Sequence, residues 1–302
     1  MKFIRPTLVT PAMLVSSSVP ETDYPAWTSG TYAVGDRRIV VAQHKIYQCA
    51  VAGSSTISPE LDPARWAVVG PTNRWAMFDG QVSTTTSAAN SISVTLTPGR
   101  FNSLGLLNIN ASAVTVTLTV DAVVVYEKTT DLDSGVKVGN WYEYFYEPIY
   151  QQDTLLLTDL VDAALLDLPA YTNGVLTVTL TRTGSTVSCG AIIVGLLFTL
   201  GKTRWRPTVA IRDFSRKEAD EYGSYTLVQR SFSKTMKASV MVADGDVDTV
   251  VSNMGRYRAT NLLWIGDPTY GALLVYGFAS DWRLVISNPQ FSEFELEVEG
   301  MT

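Results

Sequence analysis

Val114-Thr115-Val116-Thr117-Leu118-Thr119-Val120 alternates apolar and hydroxylated side chains without a break. A period of two places one set on each face of an extended strand. The β-branched residues suit a pleated surface with one side buried and one solvated. The same rhythm recurs on either side of this stretch. Ser91–Thr97, Leu104–Asn110, Val123–Glu127, Thr154–Thr158 and Val175–Thr181 read as strands, and Ala191–Phe198 reads as a strand covered on both faces. With Trp141–Tyr146, which carries a ring on nearly every residue, this makes about eight strands, a number that suits a jelly-roll or related β-sandwich. The rings between Trp141 and Tyr150 either pack the core, with hydroxyls at the rim, or offer half their number to one exposed surface.

Downstream of a short basic boundary, Gly201–Pro207, the rhythm changes. Tyr225–Arg230 and Lys237–Val242 form a strand pair. Val247, Val250, Val251, Met254 and Tyr257 then recur at intervals of three and four, which predicts an amphipathic helix near 246–258, capped by Asp246 or Asp248. Further strands follow. The last sets Phe294, Leu296 and Val298 against Glu293, Glu295, Glu297 and Glu299, so the carboxylates are expected in solvent or against basic groups of a partner. At the other end of the chain, Pro6, Pro11, Pro20 and a serine run make residues 1–20 an expected extended arm.

Composition narrows the function classes. The 302 residues are 46% apolar and 17% charged, which supports a substantial core and argues against disorder. The net charge of −6 lies wholly in residues 71–200, with five basic and eleven acidic groups, and no region has the basic excess of a nucleic-acid binder. The two cysteines, Cys49 and Cys189, exclude a disulfide scaffold. The single histidine, His44, excludes a histidine-rich metal site and reads as a surface strand residue. Asp244-Gly-Asp-Val-Asp248 lacks the ligand spacing of a calcium loop and reads as a turn. Phosphate-loop and nucleophile-elbow motifs are absent, so neither an enzyme nor a cofactor is expected. Ala191–Leu200, the most apolar run, is too short for a membrane helix, and the chain reads as soluble and made in the cytoplasm.

Near the N-terminus the aromatics recur too irregularly for a helix: Tyr24, Trp27, Tyr32, Tyr47 and Trp66, with a Gly35-Asp36 turn among them. A module this small is not expected to bury four large rings completely. Trp27, Tyr32, Gly35, Asp36, Tyr47, Pro59 and Trp66 stand in the order and spacing that resemble the small chitin-binding-like modules of carbohydrate-binding families 5 and 12. Arg37-Arg38 departs from that pattern, which often has an apolar strand residue there. The resemblance covers Tyr24 to Gly70 and implies glycan contact through Trp27, Tyr32, Tyr47 and Trp66. The other reading of the same rings is a mini-core or docking face in a module used as a spacer.

The C-terminal order of strand pair, short helix and alternating final strand resembles the β-sandwich-plus-helix domains of tailed-phage tail tubes and distal tail proteins. Those domains join edge to edge in rings. The expected organisation is therefore an arm (1–20), a carbohydrate-binding-like β module (21–72), a β-sandwich (73–202) and a tail-tube-like β domain (203–302). The resemblances imply a virion protein of the distal tail or baseplate. Its expected partners are copies of itself, other tail proteins and host-surface polysaccharide, with no nucleic acid bound and no membrane span. The alternative is a glycan-binding accessory module of a secreted enzyme or adhesin.

Overall fold

The computed structural model describes residues 1–133, 141, 153–158, 172–219 and 224–301. The fold is all-β with one α-helix among the described residues. The first 72 residues hold β1 (Lys2–Pro6), β2 (Leu14–Ser17), β3 (Gly30–Tyr32), β4 (Arg37–Val40), β5 (Lys45–Cys49), β6 (Gly53–Ser55) and β7 (Trp66–Pro71). The sandwich follows with β8 (Thr86–Leu96), β9 (Ser103–Asn110), β10 (Ala113–Val120), β11 (Val123–Asp131), β12 (Thr154–Leu157) and β13 (Val175–Thr199). The C-terminal region contains β14 (Lys202–Thr203), β15 (Thr208–Asp213), β16 (Arg216–Ala219), β17 (Tyr225–Val228) and β18 (Phe232–Ala243). After these come α1 (Val247–Arg256), β19 (Leu262–Ile265), β20 (Leu274–Val285) and β21 (Phe291–Gly300).

The spine of the molecule is β13, a single strand of 25 residues where two separate strands were expected. Its first part pairs with β10 and β8, and its last part with β9 and β1. The register breaks between Thr181 and Thr186, where Gly184 takes a φ of 76° and Asn90 of the facing strand a φ of 65°. The Gly184 N–H donates to Asn90 Oδ1 at 2.8 Å, so both strands turn the corner together. A residue with positive φ bends a strand pair at little cost when it is glycine or asparagine. One strand thus serves both layers of the sandwich. Val114, Val116 and Leu118 of β10 meet Leu104, Leu106, Leu155 and Leu157 across the core. The intervening hydroxyls bond across the outer face: Ser93 to Thr179 at 3.1 Å, Thr95 to Thr177 at 3.2 Å and Thr115 to Thr129 at 2.9 Å. The expectation for Ala191–Phe198 holds over its first half. Ile192 and Val194 enter the sandwich core, while Ala191 and Ile193 are buried in a separate cluster on the other face.

The N-terminal arm is corrected. Residues 2–6 form a central strand that pairs antiparallel with β13 on one side and β19 on the other. Phe3 and Ile4 are fully buried, and Leu14–Ser17 pairs with β8. Pro6 sits at the end of its strand, where its missing N–H costs no interior ladder bond. Gly195 makes the fit possible, because a Cβ there would lie 1.9 Å from the Arg5 carbonyl oxygen. Through β1 the sandwich continues into the C-terminal sheet, in the order β11-β10-β13-β1-β19-β20-β21-β18-β14. The sheet curls enough for Leu263 of β19 to press on Gly105 of β9.

The helix forms as expected. Val250 and Met254 are buried and Val247 and Tyr257 half-buried against the C-terminal core, while Val251 stays 40% exposed. Neither aspartate caps it: Asp246 occupies the cap position without a side-chain bond, and Asp248 lies in the first turn. Of the aromatic stretch 141–150, all but Trp141 lies outside the described residues.

Candidate functional site

The aromatic module is two small sheets, β3-β6 and β4-β5-β7. Three of its four candidate glycan-contacting rings are inside it. Tyr32, Tyr47 and Trp66 are 5%, 4% and 2% exposed and pack with Val40 and Cys49. Alternation along the strands puts them there, since Tyr47 and Cys49 share one face of β5 and Trp66 lies opposite Cys49 in β7. Tyr32 and Trp66 meet edge to face with centroids 4.9 Å apart. Their polar atoms are satisfied internally: Trp66 Nε1–H donates to Ser55 Oγ at 3.2 Å, and the Tyr32 hydroxyl donates to the Thr28 carbonyl. Burial, and then the Glu60 carboxylate, raises the Tyr47 hydroxyl above the usual phenol range. These three follow the mini-core reading of the module, and Trp27 alone of the four is left partly open. They are its core.

Trp27 differs. It is half-buried against that core, and its Nε1–H has no partner among the described residues. Beside it in sequence lies an arrangement that the aromatic pattern did not single out. Arg37 Nη1–H donates to Tyr24 Oη at 2.9 Å, Arg37 Nε–H donates to Gln48 Oε1 at 3.2 Å, and the guanidinium lies 5.6 Å from the Tyr24 ring centre. The signal for it was the Arg37-Arg38 departure from the family pattern. Arg38 in turn sits 4.9 Å over the Tyr32 ring. What the module presents outward on this side is a planar guanidinium, an amide and a tyrosine, not a row of stacking rings.

The module is keyed to the sandwich by a buried carboxylate. The Glu21 side chain, 7% exposed, accepts from Thr72 Oγ1 at 2.8 Å and stands 2.9 Å from His44 Nδ1 and 4.0 Å from Arg74 Nη1. His44 adopts a φ of 53° at the end of a short 3-10 turn and stacks on Trp75, with centroids 4.1 Å apart. Trp75 belongs to the sandwich core. His44 is thus a contact between two bodies, where a surface strand residue was expected.

On the C-terminal sheet the four glutamates of β21 form a ladder with cations of their own chain. Glu293 pairs with Arg204 at 2.5 Å, Glu295 with Arg283 at 2.7 Å, Glu297 with Lys237 at 2.9 Å and Glu299 with Arg212 at 2.8 Å. Lys237 and Arg283 stand directly opposite their glutamates in the neighbouring strands. Exposed pairs contribute about 0–1 kcal/mol each, so the main effect is a sheet face without net charge. Between sandwich residues and the C-terminal sheet is a cavity of about 330 Å³, lined by Leu107, Asn108, Phe232, Lys234, Leu274 and Tyr276. Burial, then the charge of Asp79, raises the Tyr276 hydroxyl above its ordinary value. Among the described residues no cluster of three or more His, Cys, Asp or Glu side chains is placed to hold a metal ion, and no helix is long and apolar enough to cross a membrane.

No protein-family model matches the chain, and no curated protein matches it.

Proposed function

We propose that this chain is a structural component of a tailed-bacteriophage virion, at the distal tail or baseplate, where copies join in a ring. The observation that carries the reading is an open antiparallel sheet with an exposed outer strand. Among the described residues, β15 pairs only with β18, and all six of its residues are exposed. An exposed edge of this kind presents a template for a further strand. An interface that closes through a rotation covers it in every copy. The neutralised face of β21 fits this role, because copies can stand side by side without a build-up of like charge. The chain would be made in the host cytoplasm and reside in the tail with other tail proteins.

Host-surface glycan contact is a second reading, and it narrows to Trp27 with Tyr24, Arg37 and Gln48. The accessory module of a secreted enzyme or adhesin would use the same surface. The deciding experiment is light scattering and electron microscopy of the purified full chain. Rings are the expected result, and a monomer at every attainable concentration refutes the assembly reading. Trp27→Ala, tested on immobilised polysaccharides in parallel, should lower any binding at least tenfold if the module is the glycan contact.

A further inference from the structure

The cavity between the sandwich and the C-terminal sheet has a cause in the strands that border it. Gly300 of β21 pairs with Gly277 of β20, so neither strand contributes a side chain at that point. A Cβ on Gly300 would lie 2.7 Å from the Lys234 carbonyl oxygen, so the close approach of β18 needs glycine there. The space left is about 330 Å³, a size that suits a small molecule. Its lining is mostly apolar. Leu107, Leu274 and Val275 are buried where they border it, and Phe232 is 50% exposed beside them. One wall is fixed by Asn108 of β9, which donates from Nδ2 to the Val82 carbonyl at 2.9 Å and ties the 81–84 loop to that strand.

One residue does not suit an apolar lining. Alternation along β18 puts Lys234 in phase with Met236, Ala238, Val240 and Val242, the buried face of the strand. The lysine is half-buried, and its ammonium has no ion-pair or hydrogen-bond partner among the described residues. Lys237, in the opposite phase, is paired with Glu297 at 2.9 Å. A cation drawn part-way out of water without a counter-ion carries a desolvation cost that a bound anion offsets. Tyr276 adds a second donor. Its hydroxyl has no hydrogen-bond partner among the described residues, and burial keeps the proton on the oxygen. Asp153 also borders the cavity. It is exposed, accepts from Thr154 Oγ1 at 2.9 Å and is not paired with Lys234.

We propose that this cavity binds a small organic acid, with its single carboxylate on Lys234 and Tyr276 and an apolar body against Leu107, Leu274 and Phe232. The apolar lining selects the body. The Asp153 carboxylate repels anions of higher charge, such as phosphate. The site lies within one copy of the chain, so it stands or falls independently of ring assembly.

The test is calorimetric titration of the purified full chain with phenylacetate. Phenylacetamide serves as the neutral isostere, and inorganic phosphate as an anion without an apolar body. The acid should bind at least tenfold more tightly than the amide, the scale of one hydrogen bond to a charged group. Phosphate should not compete. Lys234→Met keeps the apolar stem and should bring the acid down to the level of the amide. Ser83→Trp changes an exposed residue of the cavity lining, so it should retain the wild-type urea midpoint and weaken the acid tenfold or more. The proposal is overturned by a wild-type chain that shows no saturable binding of the acid at millimolar concentrations, or that binds acid and amide equally. Phosphate that competes as well as the acid, or acid binding undiminished in either variant, overturns it too.

Discussion

Replacement of Phe3 by Ala distinguishes a structural first strand from a loose arm. The Phe3 ring is fully buried. It stacks on Phe198 at 5.2 Å, lies 5.3 Å from Trp264 and meets Tyr257 at 5.8 Å. Truncating a buried Phe costs about 3–5 kcal/mol, the upper part of that range where the cavity cannot collapse. Collapse is restricted here, because β1 is hydrogen-bonded on both sides and its register is held by five pairs with β13 and three with β19. A loss of about 4 kcal/mol is therefore expected. The assay is equilibrium urea unfolding by circular dichroism and tryptophan fluorescence, since Trp264 is among the ring's direct neighbours. Leu8→Ala is the control: Leu8 is 76% exposed and should change stability by less than about 0.5 kcal/mol. The C-terminal sheet and the sandwich should both feel the loss, because β1 joins them. If Phe3→Ala is indistinguishable from Leu8→Ala, residues 1–6 are not a structural strand and the argument is wrong.

Two further outcomes follow from the clasp and from the buried thiols. Glu21→Ala should weaken the docking of the aromatic module by about 2–3 kcal/mol, the scale of hydrogen bonds to a charged group. Hydrogen exchange reads this at the Thr72 amide, which donates to the His44 carbonyl at 2.9 Å, and unchanged protection there would contradict the clasp. Neither thiol should react with Ellman's reagent at pH 8 in the folded chain, and both should react in denaturant. Both cysteines are buried and burial pushes the Cys189 thiol up to about 12, so fast labelling of the native protein would refute the packing.

Much of the fold was legible from residue order. The Val/Thr alternation of 114–120 and 175–181 marks strands because a period of two has one structural meaning, and the threonines do bond across the outer face. The 247–256 helix was readable for the same reason, with its period close to 3.6. The candidate glycan site was less legible. The spacing of Trp27, Tyr32, Tyr47 and Trp66 resembles a binding module, but binding rings and core rings have the same composition and can have the same spacing. Only the pairing of β5 with β7 and β3 with β6 decides which way they point.

Local pattern determined the strands, the helix, the apolar face of β21 and the acidic balance of residues 71–200. Contacts between residues far apart in sequence decided the rest. Phe3 is a core residue only because Phe198 and Trp264 surround it, nearly two hundred positions or more away. The glutamates of β21 are neutralised only because Arg204, Arg212, Lys237 and Arg283 reach them from other strands. Periodicity reports which face a side chain takes. It is silent on what stands opposite that face, and in this protein the opposing groups decide which rings are core and which carboxylates are paired.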